Sequence, residues 1–226
     1  MQIDIISVVP QLMESFLNHS ILKRAQEKNL LTINLVNLRD YGIGNYKQVD
    51  DYQYGGDAGM VLMCEPLSNA IESLISKNGA YDEIIFLCPD GKVYDQKTAN
   101  FLSLKNRILL ICGHYKGIDE RIREKYVTIE ISIGDYVLSG GELAAAVLVD
   151  SIGRLIPGVL NNETSALTDS FQDNLLSPPV YTRPEIWDDQ KVPAILLSGN
   201  AKEIDKWKYE ASLNRTKERR PDLFDK

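Results

Sequence analysis

The 226-residue chain contains no apolar run approaching the roughly 18 residues of a membrane-spanning helix, so no span is expected. Its start, MQIDIISVVPQLMESF, has no basic region and no small-residue cleavage site. It reads as a first strand and helix, not as a signal peptide. Cysteine is scarce. Cys64, Cys88 and Cys112 are odd in number and none stands in C-x-x-C spacing, which excludes a disulfide framework and suggests free thiols in a reducing cytoplasm. Histidine is limited to His19 and His114, far apart, so a dedicated zinc site is not expected. An excess of positive charge is also missing. The net charge of −7 argues against wholesale electrostatic binding of nucleic acid, but it leaves room for a local basic patch.

What is present is ordinary for a globular protein: 44% apolar and 25% charged residues, enough for one large domain or a domain with a small appendage. IDIISVV (3–9) and LLTINLVNL (30–38) read as strands, and LMESFLNHSILKRA between them as one amphipathic helix. Residues 39–62, with five glycines, read as a long loop. EPLSNAIESLISKNG reads as a helix stopped by Gly79. EIIFLCP (83–89), RILLICG (107–113) and VTIEISIG (127–134) read as buried strands, with a loop and helix over DGKVYDQKTANFLSL and a helix over IDERIREKY. Continuous apolar strands alternating with helices predict an α/β fold with a mostly parallel sheet covered on both faces. Ligands of such sheets bind beyond the carboxyl ends of the strands. Three of those ends carry loop-forming residues: Cys88 to Gly91, Gly113 to Gly117, and Gly134 to Gly141.

After residue 156 the composition changes. PGVLNNETSALTDSFQDNLLSPP has little periodicity and reads as a linker. The expected organisation is an α/β domain over 1–158, a flexible linker over 159–175, and a small, mainly helical domain over 176–226. Residues 201–226 hold eight Lys and Arg against six Asp and Glu, so positive charge is concentrated in the tail of an acidic chain.

The stretch SIGDYVLSGGELAAAVLVD (132–150) runs strand, glycine loop, helix. It is not a P-loop, because no Lys and no Ser or Thr follow the glycines to meet phosphate and magnesium. Nor is it a dinucleotide fingerprint, since the first strand ends in Val9-Pro10 without glycine. Glu142 at the helix start opposes an anion there. The loop suits a ligand held by main-chain groups, such as an adenine ring, or else a tight turn with no ligand.

Taken together, GGDAGMVLMCEP (55–66), FLCPDG (86–91), ICGHYKGIDERI (111–122), ISIGDYVLSGGELA (131–144), DSF (169–171), PPVYTRPE (178–185), LLSGN (196–200) and LNRTKERRPDL (213–223) resemble one family along the whole chain. It is the bacterial tRNA (guanine-N1)-methyltransferases, of the SPOUT class with a deep trefoil knot. The resemblance implies S-adenosylmethionine bent within the knot, adenine on main-chain groups, and methylation of N1 of the guanine just 3′ of the tRNA anticodon. It also implies a cytoplasmic homodimer with active sites shared between protomers. Magnesium is associated with the family's activity, yet no residue cluster announces a site. The chain departs from the family pattern at Gln53, Asp57, His114, Lys116 and Ala144.

The reaction needs a base for the guanine N1 proton and a cation or N–H donor for charge developing at O6. The resemblance makes Asp169 the base and Arg154 its partner. Their plainer roles are a helix N-cap and a cation at a helix C-terminus. The implied cofactor set is Leu87, Pro89, Gly113, Tyr115, Gly117, Ile133, Gly134, Asp135, Tyr136, Val137, Leu138, Gly140 and Gly141. Core packing and turn geometry are the alternatives, and Asp135 and Glu142 could be solvated caps. Arg183, Lys208, Arg215, Lys217, Arg219 and Arg220 are the implied tRNA contacts, or simply a solvated face. Trp207 and Tyr209 are read as packing residues. Two other functions stay open: a knotted ribose 2′-O-methyltransferase, and a non-catalytic nucleotide- or RNA-binding module.

Overall fold

A computed structural model describes residues 1–160 and 169–225. The chain divides into two compact units, Met1–Asn161 and Asn162–Lys226. Residues 161–168 of the expected linker lie outside the described residues.

The first unit is built on five parallel strands: β1 (Gln2–Ser7), β2 (Thr32–Asn37), β5 (Glu83–Val93), β6 (Arg107–Cys112) and β7 (Ile129–Ser132). Their order is β2-β1-β6-β5-β7. Helices α1 (Gln11–Leu17), α2 (Ser20–Glu27), α4 (Gln96–Ser103) and α6 (Glu142–Gly153) cover one face, meeting Ile3, Ile5, Ile85, Ile108 and Leu110. Helices α3 (Cys64–Asn78) and α5 (Glu120–Tyr126) cover the other, meeting Ile6, Ile84, Phe86, Leu109 and Ile111. Successive strand residues point to opposite faces, so burial of both faces accounts for strands that are apolar without alternation. Asp4 interrupts the first of these runs and is buried. Asn34 and Gln2 donate to it at 2.6 and 2.8 Å, and the Tyr81 hydroxyl donates as well.

Three local expectations are corrected. The single helix after Pro10 is two helices. Asn18 Nδ2 and His19 Nδ1 donate to the last carbonyls of α1, at Glu14 and Ser15, and Ser20 then turns the chain with φ of 53°. The loop over 39–62 contains an antiparallel hairpin, β3 (Asp50–Tyr52) with β4 (Met60–Leu62). β5 does not end at Pro89. It bonds to β7 as far as Leu87, bulges, and resumes pairing at Lys92.

The second unit contains a short hairpin, β8 (Ile186–Trp187) with β9 (Gln190–Lys191), a single turn α7 (Ala194–Leu197), and the long helix α8 (Ala201–Arg219). Asn200 caps α8 by accepting from the Glu203 N–H. Thr216 of α8 is fully buried, and its hydroxyl accepts the Leu176 N–H at 2.9 Å, fixing the preceding segment to the helix. No described helix is long and apolar enough to cross a membrane.

Candidate active site

Strands β6, β5 and β7 are neighbours, so their carboxyl ends deliver three loops to one place. The first is the bulge Cys88 to Gly91 in β5. The second, residues 113–117, is closed by a hydrogen bond from Gly117 N–H to His114 O. The third, residues 133–141, lies against the second: Gly141 N–H donates to Gly113 O at 2.8 Å, and His114 bridges Gly140. Between them lies a cavity of about 650 Å³, within the usual range of ligand pockets.

Twelve of the thirteen expected cofactor residues line this cavity: Leu87 and Pro89 from the first loop; Gly113, Tyr115 and Gly117 from the second; Ile133, Gly134, Tyr136, Val137, Leu138, Gly140 and Gly141 from the third. Asp135 is the exception. It is exposed and does not line the cavity. Close approach requires the glycine at 141: a Cβ there would stand 2.7 Å from Cys112 Cα, so a side chain would force the third loop off β6.

Sequence reasoning missed several lining residues. Met60 reaches the cavity from β4, and Phe86, Cys88, Asp90, His114, Lys116 and Arg123 from around the loops. The quoted motifs contained all of these except Arg123, but nothing in them marked which residues face inward. Arg123 donates to Glu130 and to Asp90 at 2.7–2.8 Å. That contact holds the Asp90 carboxyl below its ordinary range, and the two acids keep Arg123 charged.

Cys88, Asp90 and Glu130 are the one group of potential metal ligands among the described residues. They do not fit a metal. The Arg123 guanidinium already sits on both carboxylates, and burial, followed by the neighbouring Asp90, pushes the Cys88 thiol up to about 12. A protonated thiol and a resident cation make a poor ligand set, so the magnesium expectation gains no support here.

Glu142 is not a solvated cap. It is 2% exposed and held by two donors, Ser7 Oγ at 2.5 Å and His114 Nε2 at 2.9 Å. Arg154 is the C-cap residue of α6, partly buried, with its N–H on Asp150 O. Asp169 is the first described residue of the second unit, partly buried, and residues 170–175 that follow it are not helical. Residues 170–175 form turns pinned by Phe171 N–H to Leu175 O and by Ser170 Oγ to Ser177, so Asp169 is not a helix N-cap. Lys208, Lys217 and Arg219 on α8, and Arg183 before it, are exposed. Arg215 is half-buried, and Arg220 is engaged by Asp222 at 2.7–2.8 Å and by the Phe171 ring. Trp207 packs against Tyr181, but Tyr209 is 59% exposed and does not serve as a packing residue.

Comparison with known proteins agrees with this arrangement over the whole chain. A family model described as tRNA (guanine-1)-methyltransferase TrmD matches residues 1–226. The tRNA (guanine-N(1)-)-methyltransferase of Cytophaga hutchinsonii is 61% identical over 226 residues, covering all of this chain and 96% of the relative. That of Bacteroides fragilis is 56% identical over 225 residues, with full coverage of both. Among solved structures, the tRNA (m1G37) methyltransferase from Aquifex aeolicus superposes with a TM-score of 0.80 at 35% identity, over 97% of this chain and 93% of that one. Carrying the family's motifs at the ends of three adjacent strands and matching its model from first residue to last, the chain belongs to the tRNA (guanine-1)-methyltransferase family.

Proposed function

We propose that the protein transfers a methyl group from S-adenosylmethionine to N1 of the guanine 3′ of the anticodon in tRNA. The observation that carries this reading is the cavity at the ends of β5, β6 and β7, lined by main chain at six glycines and by apolar side chains. An adenosine fits such a wall. Its ring edge needs backbone N–H and C=O groups, and its faces need apolar contact. The tight interleaving of the second and third loops, seen in the Gly141–Gly113 bond, supports the trefoil knot that the family implies.

The donor, when bound, supplies an electrophilic methyl on a sulfonium sulfur. Asp169 takes the guanine N1 proton to its carboxylate as the N1–carbon bond forms and the carbon–sulfur bond breaks. Arg154 offers its guanidinium to the charge that develops at O6. Lys208, Lys217, Arg219 and Arg183, exposed in the second unit, contact tRNA phosphates, which sets affinity more than sequence choice. Tyr209, exposed on α8, is free to contact the RNA too. The protein acts in the cytoplasm.

The protein works as a homodimer with active sites shared between protomers. Helix α6 is apolar around nearly its whole circumference, as fully buried helices are. In the single chain, however, Leu143 and Val147, one turn apart, are 64% and 45% exposed, and Leu12 of α1 and Leu104, just after α4, are exposed as well. A second copy covering this face would bury them.

Incubation with methyl-labelled S-adenosylmethionine and a tRNA bearing guanine at that position tests the reaction. Label on guanine N1 is expected, whereas label on a ribose 2′-oxygen, or none, would overturn it. Mixing inactive Asp169→Ala and Gly141→Val proteins tests the shared site. Activity returning to about half per heterodimer is expected, since one of two symmetric sites carries no defect.

A further inference from the structure

Behind the cavity wall, the Glu142 carboxylate makes contacts that the proposed reaction does not use. An acid in the first turn of a helix suits the helix dipole, but such acids usually face water. Here the carboxylate is withdrawn from solvent, where an ionised group without partners is strongly unfavourable. Its partners come from two other segments. Ser7 Oγ, at the end of β1, donates at 2.5 Å and itself accepts the Val9 N–H at 2.9 Å. His114 Nε2, in the loop after β6, lies 2.9 and 3.1 Å from the two carboxylate oxygens.

Gly140 stands where this contact passes. A Cβ there would lie 2.3 Å from His114 Nε2 and 2.5 Å from Glu142 Oε2. The glycine is therefore needed for a side-chain contact as well as for a bare backbone. Of the three side chains, only His114 lines the cavity, so Glu142 and Ser7 act on the cavity through it. The His114 ring also meets the Tyr115 ring edge-on, with centroids 5.9 Å apart.

We propose that His114 and Glu142, with Ser7 behind them, are a positioning set for the methyl donor. Glu142, anchored by Ser7, holds the imidazole against Gly140 and so sets the gap between loops 113–117 and 133–141. Donor affinity depends on that gap. The transfer step at guanine does not, because its proton and charge are handled by Asp169 and Arg154. The inference rests on the reading of this cavity as the donor pocket.

The test compares the unmodified protein with His114→Ala, His114→Gln, Glu142→Gln and the His114→Ala/Glu142→Gln double variant. S-adenosylmethionine affinity is measured by calorimetry, thermal midpoint by melting, and kcat on tRNA at saturating donor. His114→Ala is expected to weaken donor binding on the order of tenfold to a hundredfold, the range for one hydrogen bond to a charged group. Its kcat at saturating donor should fall by less than about threefold, since uniform binding is what is lost. His114→Gln, whose amide can donate to Glu142, should recover most of the affinity. The double variant should lose less than the sum of the two singles. Donor affinity unchanged in His114→Ala, or lost equally in His114→Gln and in step with the melting temperature, would reduce the set to a core contact and overturn the proposal. Failure of the unmodified protein to bind the donor would instead remove the donor-pocket reading, and the positioning role with it.

Discussion

The two units achieve order by different means. Met1–Asn161 buries apolar side chains on both faces of a five-stranded sheet, and its cavity is walled by loops rooted in three adjacent strands. Among the described residues of Asn162–Lys226, only Ser212, Thr216 and Leu223 are buried, and two of these are polar. A donor pocket requires placement within a fraction of an ångström, which only packed elements supply. Contacts to a phosphate backbone tolerate looser placement, and exposed cations on one helix can make them. Precision thus resides in the first unit, and charge and the proposed base in the second.

The largest test of that division is Asp169→Ala. Turnover should fall on the order of 10² or more, as for loss of a general base, while calorimetry should show unaltered donor affinity. A variant that turns over normally, or one that loses the donor, would break the comparison. Next in size are two stability changes. Leu148→Ala removes a fully buried side chain of α6 and should destabilise by about 2–5 kcal/mol in urea titration. Thr216→Val leaves the part-buried Leu176 N–H without its acceptor and should lose about 1–3 kcal/mol. Equal losses would show that the second unit is as tightly packed as the first.

Smaller still, Lys217→Gln and Arg219→Gln should each lower the salt dependence of tRNA binding by about one unit of slope per lost phosphate contact. An unchanged slope would make α8 a solvated face. The smallest effect concerns Asp90. The Arg123 contact depresses its carboxyl in the folded state, so the stabilisation is present above the unfolded carboxyl range and is lost as pH falls through the folded value. Asp90 is largely exposed, so the contribution is small. Arg123→Met should therefore reduce the loss of stability on acidification below about pH 4, read from melting temperature against pH.

Much of the first unit was legible because burial on both faces leaves a mark that a sequence carries openly. Runs such as EIIFLC and RILLIC can be little else than buried parallel strands, and glycines at their ends announce close approach. Less could be read where one rule hid another. The hairpin β3–β4 was obscured by five glycines that suggested loop alone. The break before Ser20 rests on Asn18 and His19 side chains that also fit an amphipathic helix. The bulge in β5 carries a Pro, which normally marks a strand's end.

By itself the sequence determined the alternation of sheet strands with helices, the parallel sheet and the ends at which a ligand would lie, since these follow from local periodicity and the placement of glycine. Only the tertiary structure decided which side chains meet there. Ser7 and Glu142 are 135 residues apart, and Arg123 reaches Asp90 across 33. These contacts exist because the sheet order sets β6 between β1 and β5 and places β7 beside β5. A buried acid reads the same in sequence as a solvated one, and burial, which depends on every other element, tells Glu142 from Asp135.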